Sequence, residues 1–235
     1  MRKLSGGQIA GIVIGVVLFA FLVVCVGVSF YPFKLSDAEV LSLYQLMKDV
    51  DEILTLNGVS YVVESGTLLG CIRHRGLIPW DDDLDIQVLQ QDEDAFLALR
   101  PKFNSIGFDI RPAKFGYKIQ PNVKKHSAFP FCDVFITAFD ENKFSKNKNN
   151  SFAKCRFHES EYFPTKRYTF GDIEVNGPAN PTLFLDRCYG KSWPEISYRF
   201  NPDKFLYFST PVPKQLAPED RKPAMPTGPL NTIHV

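Results

Sequence analysis

Residues Glu64 to Ile86 read ESGTLLGCIRHRGLIPWDDDLDI, and both the fold and the chemistry of the chain turn on them. Four acids, Asp81, Asp82, Asp83 and Asp85, fall within this stretch. Such a run is usually a solvated loop, but here Leu84 and Ile86 alternate with Asp83 and Asp85. A period of two marks a strand that sets the two carboxylates side by side on one face and anchors the apolar residues in a core. Carboxylates held together repel unless a cation lies between them, and magnesium (or manganese) is the ordinary answer. Upstream, Ser65-Gly66-Thr67 follows a short β-branched strand, Ser60 to Val63, and opens a helical turn through Leu68, Leu69 and Ile72. Small residues and free amides at a strand-to-helix turn suit phosphate oxygens. Arg73, His74 and Arg75 add cationic donors between the turn and the acids. The stretch as a whole reads as a site for a nucleoside diphosphate held by a metal.

Such a site needs a third carboxylate from a neighbouring strand. Asp133, the lone acid in the apolar run Phe131 to Ile136, is the candidate. A buried carboxylate requires a partner. That partner is either the metal or, on a purely structural reading, a lysine or arginine.

Elsewhere, Ser36 and Glu39 form a capping box ahead of apolar residues at helical spacing, from Val40 to Leu54, stopped by Asn57-Gly58. Strands are expected at Leu84 to Leu89, Phe108 to Arg111, Tyr117 to Gln120, Cys132 to Phe139 and Ile173 to Val175. Helices are expected over Asp92 to Leu99 and from Asn180-Pro181 to about Tyr189, ending at Gly190. Strands and helices mix without a regular βαβ period, so the fold class is α+β (mixed α/β), a small mixed sheet flanked by helices. The segment 201–235 holds seven of the chain's 17 prolines and weak periodicity. It reads as an extended tail packed over the domain and grading into disorder.

With 27 Lys+Arg against 26 Asp+Glu in 235 residues, the net charge of +1 argues against a nucleic-acid partner. Ile9 to Phe30 holds no charged residue. Its helix would rise roughly 33 Å, the thickness of a bilayer core. The expected layout is a cytosolic stub (1–8), a transmembrane signal-anchor (9–30), the catalytic domain (35–195) and the tail. Gly27 and Ser29 would suit a cleavage site, but the run exceeds a secretory h-region, which favours a retained anchor. Arg2 and Lys3 precede the run, so the positive-inside rule gives a single-pass type II protein with its domain in the Golgi or endoplasmic reticulum lumen, or outside the cell. Gly7, Gly11 and Gly15 offer small-xxx-small steps for pairing two anchors into a homodimer. Cys71, Cys132, Cys155 and Cys188 allow two disulfides in three connectivities. Cys155 with Cys188 is the pair to test first, since the other two lie inside the motifs. Asn149 heads an N-glycosylation sequon.

Ser-Gly-Thr followed by Asp-x-Asp on a strand is similar to the nucleotidyltransferase-fold superfamily. The longer string, Glu64 to Gly70, Arg73, Gly76, Ile78-Pro79-Trp80 and Asp81 to Asp85, resembles the LicD family, to which fukutin and fukutin-related protein belong. The likeness runs loosely on through Asp133, Gly177-Pro178, Asn180-Pro181 and Tyr189-Gly190, and covers about Leu35 to Pro194. It implies transfer of a phospho-alcohol group, of the phosphocholine or ribitol phosphate type. The group passes from a CDP-activated donor to a glycan hydroxyl, and CMP is released. On that resemblance Asp83 and Asp85 bind the metal, with Asp133 as third carboxylate or general base. Ser65, Gly66 and Thr67 hold phosphate and Arg73 pairs with it. Trp80 stacks on a base, walls the pocket or simply packs. Asp81 and Asp82 orient Arg73 or Arg75, and Glu64 supports the turn.

Three departures stand out: no stem domain separates the apolar run from the motifs, Cys71 replaces a small apolar residue, and Lys143 to Glu161 matches nothing and is expected to be an acceptor-recognition loop. Two other functions compete. A glycosyltransferase would use the Asp-x-Asp pair to hold a manganese–nucleotide sugar, but its motif order differs. A non-catalytic binding or chaperone module would not need every acid to be present.

Overall fold

The computed structural model describes residues 6–7, 11, 13–19, 21, 34–123, 129–147, 155–199 and 212–231. The chain divides into two units, one of Lys34–Ser197 with Gln215–Val235, the other of Met1–Phe33 with Tyr198–Lys214. In the latter, residues 13–19 are helical, with Val13 to Phe19 largely exposed. Among the described residues no helix is long and apolar enough to cross a membrane. Most of the span expected at 9–30 lies outside them, as does Asn149.

The larger unit opens with α1 (Asp37–Leu56). Ser36 caps it: its hydroxyl accepts the Glu39 N–H, and the Glu39 carboxylate accepts the Ser36 N–H at 2.7 Å, the reciprocal arrangement read from the sequence. Its apolar stripe, Val40, Leu43, Tyr44, Met47, Val50, Ile53 and Leu54, is buried. Then come β1 (Tyr61–Val63), α2 (Ser65–Leu69) continued by a wider π turn (Gly70–His74), and β2 (Leu84–Leu89). All six residues of β2 are buried. Next are α3 (Glu93–Ala98), α4 (Arg100–Ser105), β3 (Phe108–Ala113), β4 (Gly116–Pro121), β5 (Cys132–Phe139) and β6 (Ser145–Asn147). The chain continues through α5 (Glu159–Tyr162), the hairpin β7 (Lys166–Phe170) and β8 (Ile173–Gly177), and α6 (Thr182–Tyr189).

The sheet runs β1-β2-β5-β4-β3, with β6 pairing the far half of β5. Among the described residues of this sheet only β2 and β5 run parallel, with Asp85 opposite Asp133. Both strands therefore start at the same sheet edge, and each carries its acid there. This is the small mixed sheet with helices that the sequence implied. The helix expected to Leu99 ends there, but a second one not expected, α4, follows at once, with Pro101 in its first turn, where a missing N–H costs nothing. The strand β7, largely exposed and opening on Lys166-Arg167, carries no apolar alternation to announce it.

Of the stretch Lys143 to Glu161, expected as an acceptor-recognition loop, residues 148–154 lie outside the described ones. Its described parts are built into the fold: Ser145 is buried on β6, Phe157 is buried and stacks on Phe184 of α6 at 3.8 Å, and Glu161 pairs with Arg187 of α6 at 3.0 Å. Cys155 and Cys188 form a disulfide beside that pair, while Cys71 and Cys132 are buried thiols.

Part of the proline-rich segment packs against α1 and the loop after the π turn. Ala224 pairs with Leu77, its N–H donating at 2.9 Å. Tyr44, fully buried, donates its hydroxyl to the Ala224 carbonyl at 2.8 Å and accepts the Leu77 N–H at 3.0 Å. Tyr44→Phe leaves both groups unpaired in an apolar setting, a loss of about 2 kcal/mol. Urea unfolding reads it, and an unchanged midpoint would show that water replaces the hydroxyl.

Candidate active site

The site forms where β1 and β2 meet the loop between them. Glu64 ends β1, and its N–H donates to the Asp85 carbonyl at 3.0 Å. The chain then turns sharply at Ser65, whose φ of 46° lies in the left-handed region. This turn wraps directly onto Asp85. The Thr67 hydroxyl accepts the Asp85 N–H at 2.8 Å, and the Gly66 N–H donates to Asp85 Oδ2 at 3.3 Å. Gly66 and Thr67, read as phosphate ligands, thus also position a carboxylate. The Ser65 hydroxyl makes no hydrogen bond among the described residues.

Gly66 is required by closeness as well. A Cβ there would stand 2.4 Å from Asp81 Oδ2 and 3.2 Å from its Cγ. Gly66→Ala therefore displaces the Asp81 carboxylate from the turn. We expect divalent-metal affinity to fall about tenfold or more, as for displaced ligand supports, with the circular dichroism spectrum retained. Unchanged Mn2+ binding would mean Asp81 moves aside freely.

Asp83, Asp85 and Asp133 each offer one carboxylate oxygen, all within 4.8 Å of one another. Asp81, Asp82 and Asp83 form a second such group, so Asp83 is common to both. The electrostatics are those of a site short of positive charge. Burial pushes the Asp83 carboxyl up to about 6, with Asp82 and Asp133 adding to it and Lys118 opposing. Burial raises Asp85 well above the ordinary range, reinforced by Asp83, Asp81, Glu64 and Asp133. Asp81 is raised likewise, first by burial, while Arg73 pulls it down. Crowded all-oxygen carboxylate donors fit a hard divalent cation such as Mg2+ or Mn2+, whose charge would relieve the repulsion.

The other sequence candidates divide. Arg73 lies close enough to act on Asp81, yet its Nη1 donates to the backbone carbonyls of Trp193 at 2.9 Å and Ile196 at 3.3 Å. Arg75 is exposed and its side chain makes no hydrogen bond or ion pair among the described residues, so the structure does not bring it to the acids. Trp80 meets His74 edge-on at 5.7 Å. His74 in turn faces the Asp220 carbonyl, 3.1 Å from its Nε2. Glu64 is buried and bonded to Gln87, with one oxygen unpartnered among the described residues; burial pushes it up to about 8. Kept neutral near pH 7, it spares the site a further negative charge.

Two residues escaped the sequence reading of the site. Lys118 on β4 lies 2.8 Å from Asp133 Oδ1, opposite it in register. The counter-cation on the structural reading of Asp133 is therefore present, beside two further acids. Tyr189, at the end of α6, has its hydroxyl raised by burial and then by Asp85, Asp81 and Glu64, so it lies within electrostatic reach of the acids. A tyrosine next to Gly190 signals only a helix end in sequence, and the β4–β5 register is invisible there.

A family model described as LicD/FKTN/FKRP, nucleotidyltransferase domain, matches residues 58–180, from just after α1 to just before α6. An uncharacterised protein of Rickettsia typhi is 38% identical over 84% of this chain and 63% of its own length. Another from Rickettsia prowazekii is 38% identical over 84% of this chain and 74% of its own length. The lipopolysaccharide cholinephosphotransferase LicD of Haemophilus influenzae is 46% identical over 39 residues, which is 17% of this chain and 15% of that protein. The chain thus spans only part of the length of the relatives it matches. With the family model covering more than half of the chain, including the turn, the acids and Asp133, the chain belongs to the LicD/FKTN/FKRP family.

Proposed function

We propose that the chain is a phosphotransferase that moves a phospho-alcohol group, of the phosphocholine or ribitol phosphate type, from a CDP-activated donor to a glycan hydroxyl. The observation that carries this reading is the cluster of Asp83, Asp85 and Asp133 at the shared edge of β2 and β5, with the Ser65–Thr67 turn folded over Asp85. The names of two relatives point the same way: a cholinephosphotransferase, and a human ribitol-5-phosphate transferase that is 27% identical over 65% of this chain.

In this reading Asp83, Asp85 and Asp133 hold Mg2+ or Mn2+. The cation supplies charge neutralisation for the donor's diphosphate, which phosphoryl transfer chiefly needs. The Ser65 hydroxyl and Arg73 Nη2, unbonded among the described residues, face the donor's phosphates. Trp80 walls the pocket. The acceptor oxygen forms its bond to the phosphorus of the phospho-alcohol, the bond to CMP breaks, and a site carboxylate takes the hydroxyl proton. We further propose a membrane anchor at 9–30, supported by its lack of charge, with the domain in an oxidising compartment suited to the Cys155–Cys188 disulfide.

The test is a screen of CDP-alcohols with Mg2+, read as CMP release, with UDP-sugars in parallel. CMP release from one alcohol class supports the reading. Release of UDP or UMP without CMP would make the chain a nucleotide-sugar enzyme, and no release from a folded chain would make it a binding module.

A further inference from the structure

Lys118 is a fixed cation at the edge of the acidic site. Its Nζ lies 2.8 Å from Asp133 Oδ1 and 3.5 Å from the centroid of the Phe131 ring. The β4–β5 register sets it opposite Asp133, and its side chain is 28% exposed. Ion pair, ring and register hold the ammonium in one place, and its exposed side leaves it reachable by a ligand.

The charge count shows what such a cation does. Ionised as metal ligands must be, Asp83, Asp85 and Asp133 bring three negative charges, and Lys118 returns one. A divalent cation entering alone is repelled by the ammonium beside its third ligand and must compete with it for Asp133. Once metal is bound, the same ammonium brings the cluster to neutrality, where without it one negative charge would remain to oppose a diphosphate. The lysine thus works against the metal alone and in favour of the metal with a diphosphate.

Resting on the functional reading above, we propose that Lys118 is a donor-positioning residue that couples the two ligands, so that metal and nucleoside diphosphate load together. In the full chain, Lys118→Met keeps the aliphatic stem over Phe131 and removes the charge. Mn2+ alone, titrated by electron paramagnetic resonance, should bind this variant about tenfold or more tighter than the wild type, a coupling of ordinary size. CDP, titrated calorimetrically with Mn2+ saturating, should bind about tenfold weaker. Lys118→Arg, which keeps the charge, should stay close to wild type on both. Should Lys118→Met fail to fold, Lys118→Gln carries the same two titrations.

Weaker or unchanged Mn2+ binding in the charge-removing variant would overturn the proposal and leave Lys118 as a support that aims Asp133. Unchanged CDP affinity would overturn it too, since the ammonium would then not serve the donor. A wild-type chain that binds neither Mn2+ nor CDP overturns the functional reading and this inference with it. A wild type that binds both, beside a variant indistinguishable from it, overturns the inference alone.

Discussion

Replacing Asp83 and Asp85 together by asparagine should abolish CMP release, by a thousandfold or more, while leaving the fold intact. Asparagine matches aspartate in shape and can still accept the Gly66 N–H that Asp85 Oδ2 accepts at 3.3 Å, so the turn keeps its support. What is lost is charge. Of the three oxygens gathered within 4.8 Å, two become neutral amides, and one carboxylate cannot hold a divalent cation. Because the chemical step depends on neutralising phosphate charge, removing those ligands removes most of the catalysis. The measurement is CMP release under the donor conditions that succeed for the wild type, with Mn2+ binding followed alongside. A variant that binds no Mn2+ yet releases CMP at the wild-type rate would refute the metal-site assignment.

The acid pair was legible in the sequence because a strand's period of two is local. Asp83-Leu84-Asp85-Ile86 dictates which side chains share a face whatever the rest of the chain does. The cap at Ser36, the end of α6 at Gly190 and the bounds of β2 and β5 were legible for the same reason: each is set by residues within one turn or one strand. What stayed hidden depends on partners distant in the chain. Pairing Lys118 with Asp133 requires the β4–β5 register, and register between strands joined by a long connection leaves no mark on either strand. That Arg73 spends its Nη1 on backbone, leaving Nη2 for phosphate, was hidden because the carbonyl partners, Trp193 and Ile196, lie 120 or more positions away. The burial of Ser145 and Phe157, within the stretch expected as a loop, rests on tertiary contacts that no local pattern announces.

The same double variant should be more stable than the wild type in the absence of metal, and only where the wild-type acids are ionised. Burial, then neighbouring acids, raise Asp83 to about 6 from 3.8, and Asp85 is raised further. Between those two values the folded chain binds more protons at these positions than the unfolded chain. Stability contributed there is complete at low pH and is lost as pH rises through the folded-state value. At 1.36 kcal/mol per pKa unit, Asp83 accounts for on the order of 3 kcal/mol above pH 6. His74 titrates the other way, since burial lowers it to about 4, so the wild-type profile alone blends opposing trends. The difference between wild type and variant removes that blend, because His74 is common to both. At pH 7.5 in chelator the variant should melt roughly 6–12 °C higher, given about 2–4 °C per kcal/mol for a domain of this size. The gap should close as pH falls towards 4. Adding Mg2+ or Mn2+ should raise the wild-type melting temperature at pH 7.5 and leave the variant unmoved, because only the wild type binds the ion in its folded state. A gap that persists unchanged at pH 4 would mean the acids are not held in mutual repulsion. A metal that stabilises both proteins equally would mean it binds elsewhere than between β2 and β5.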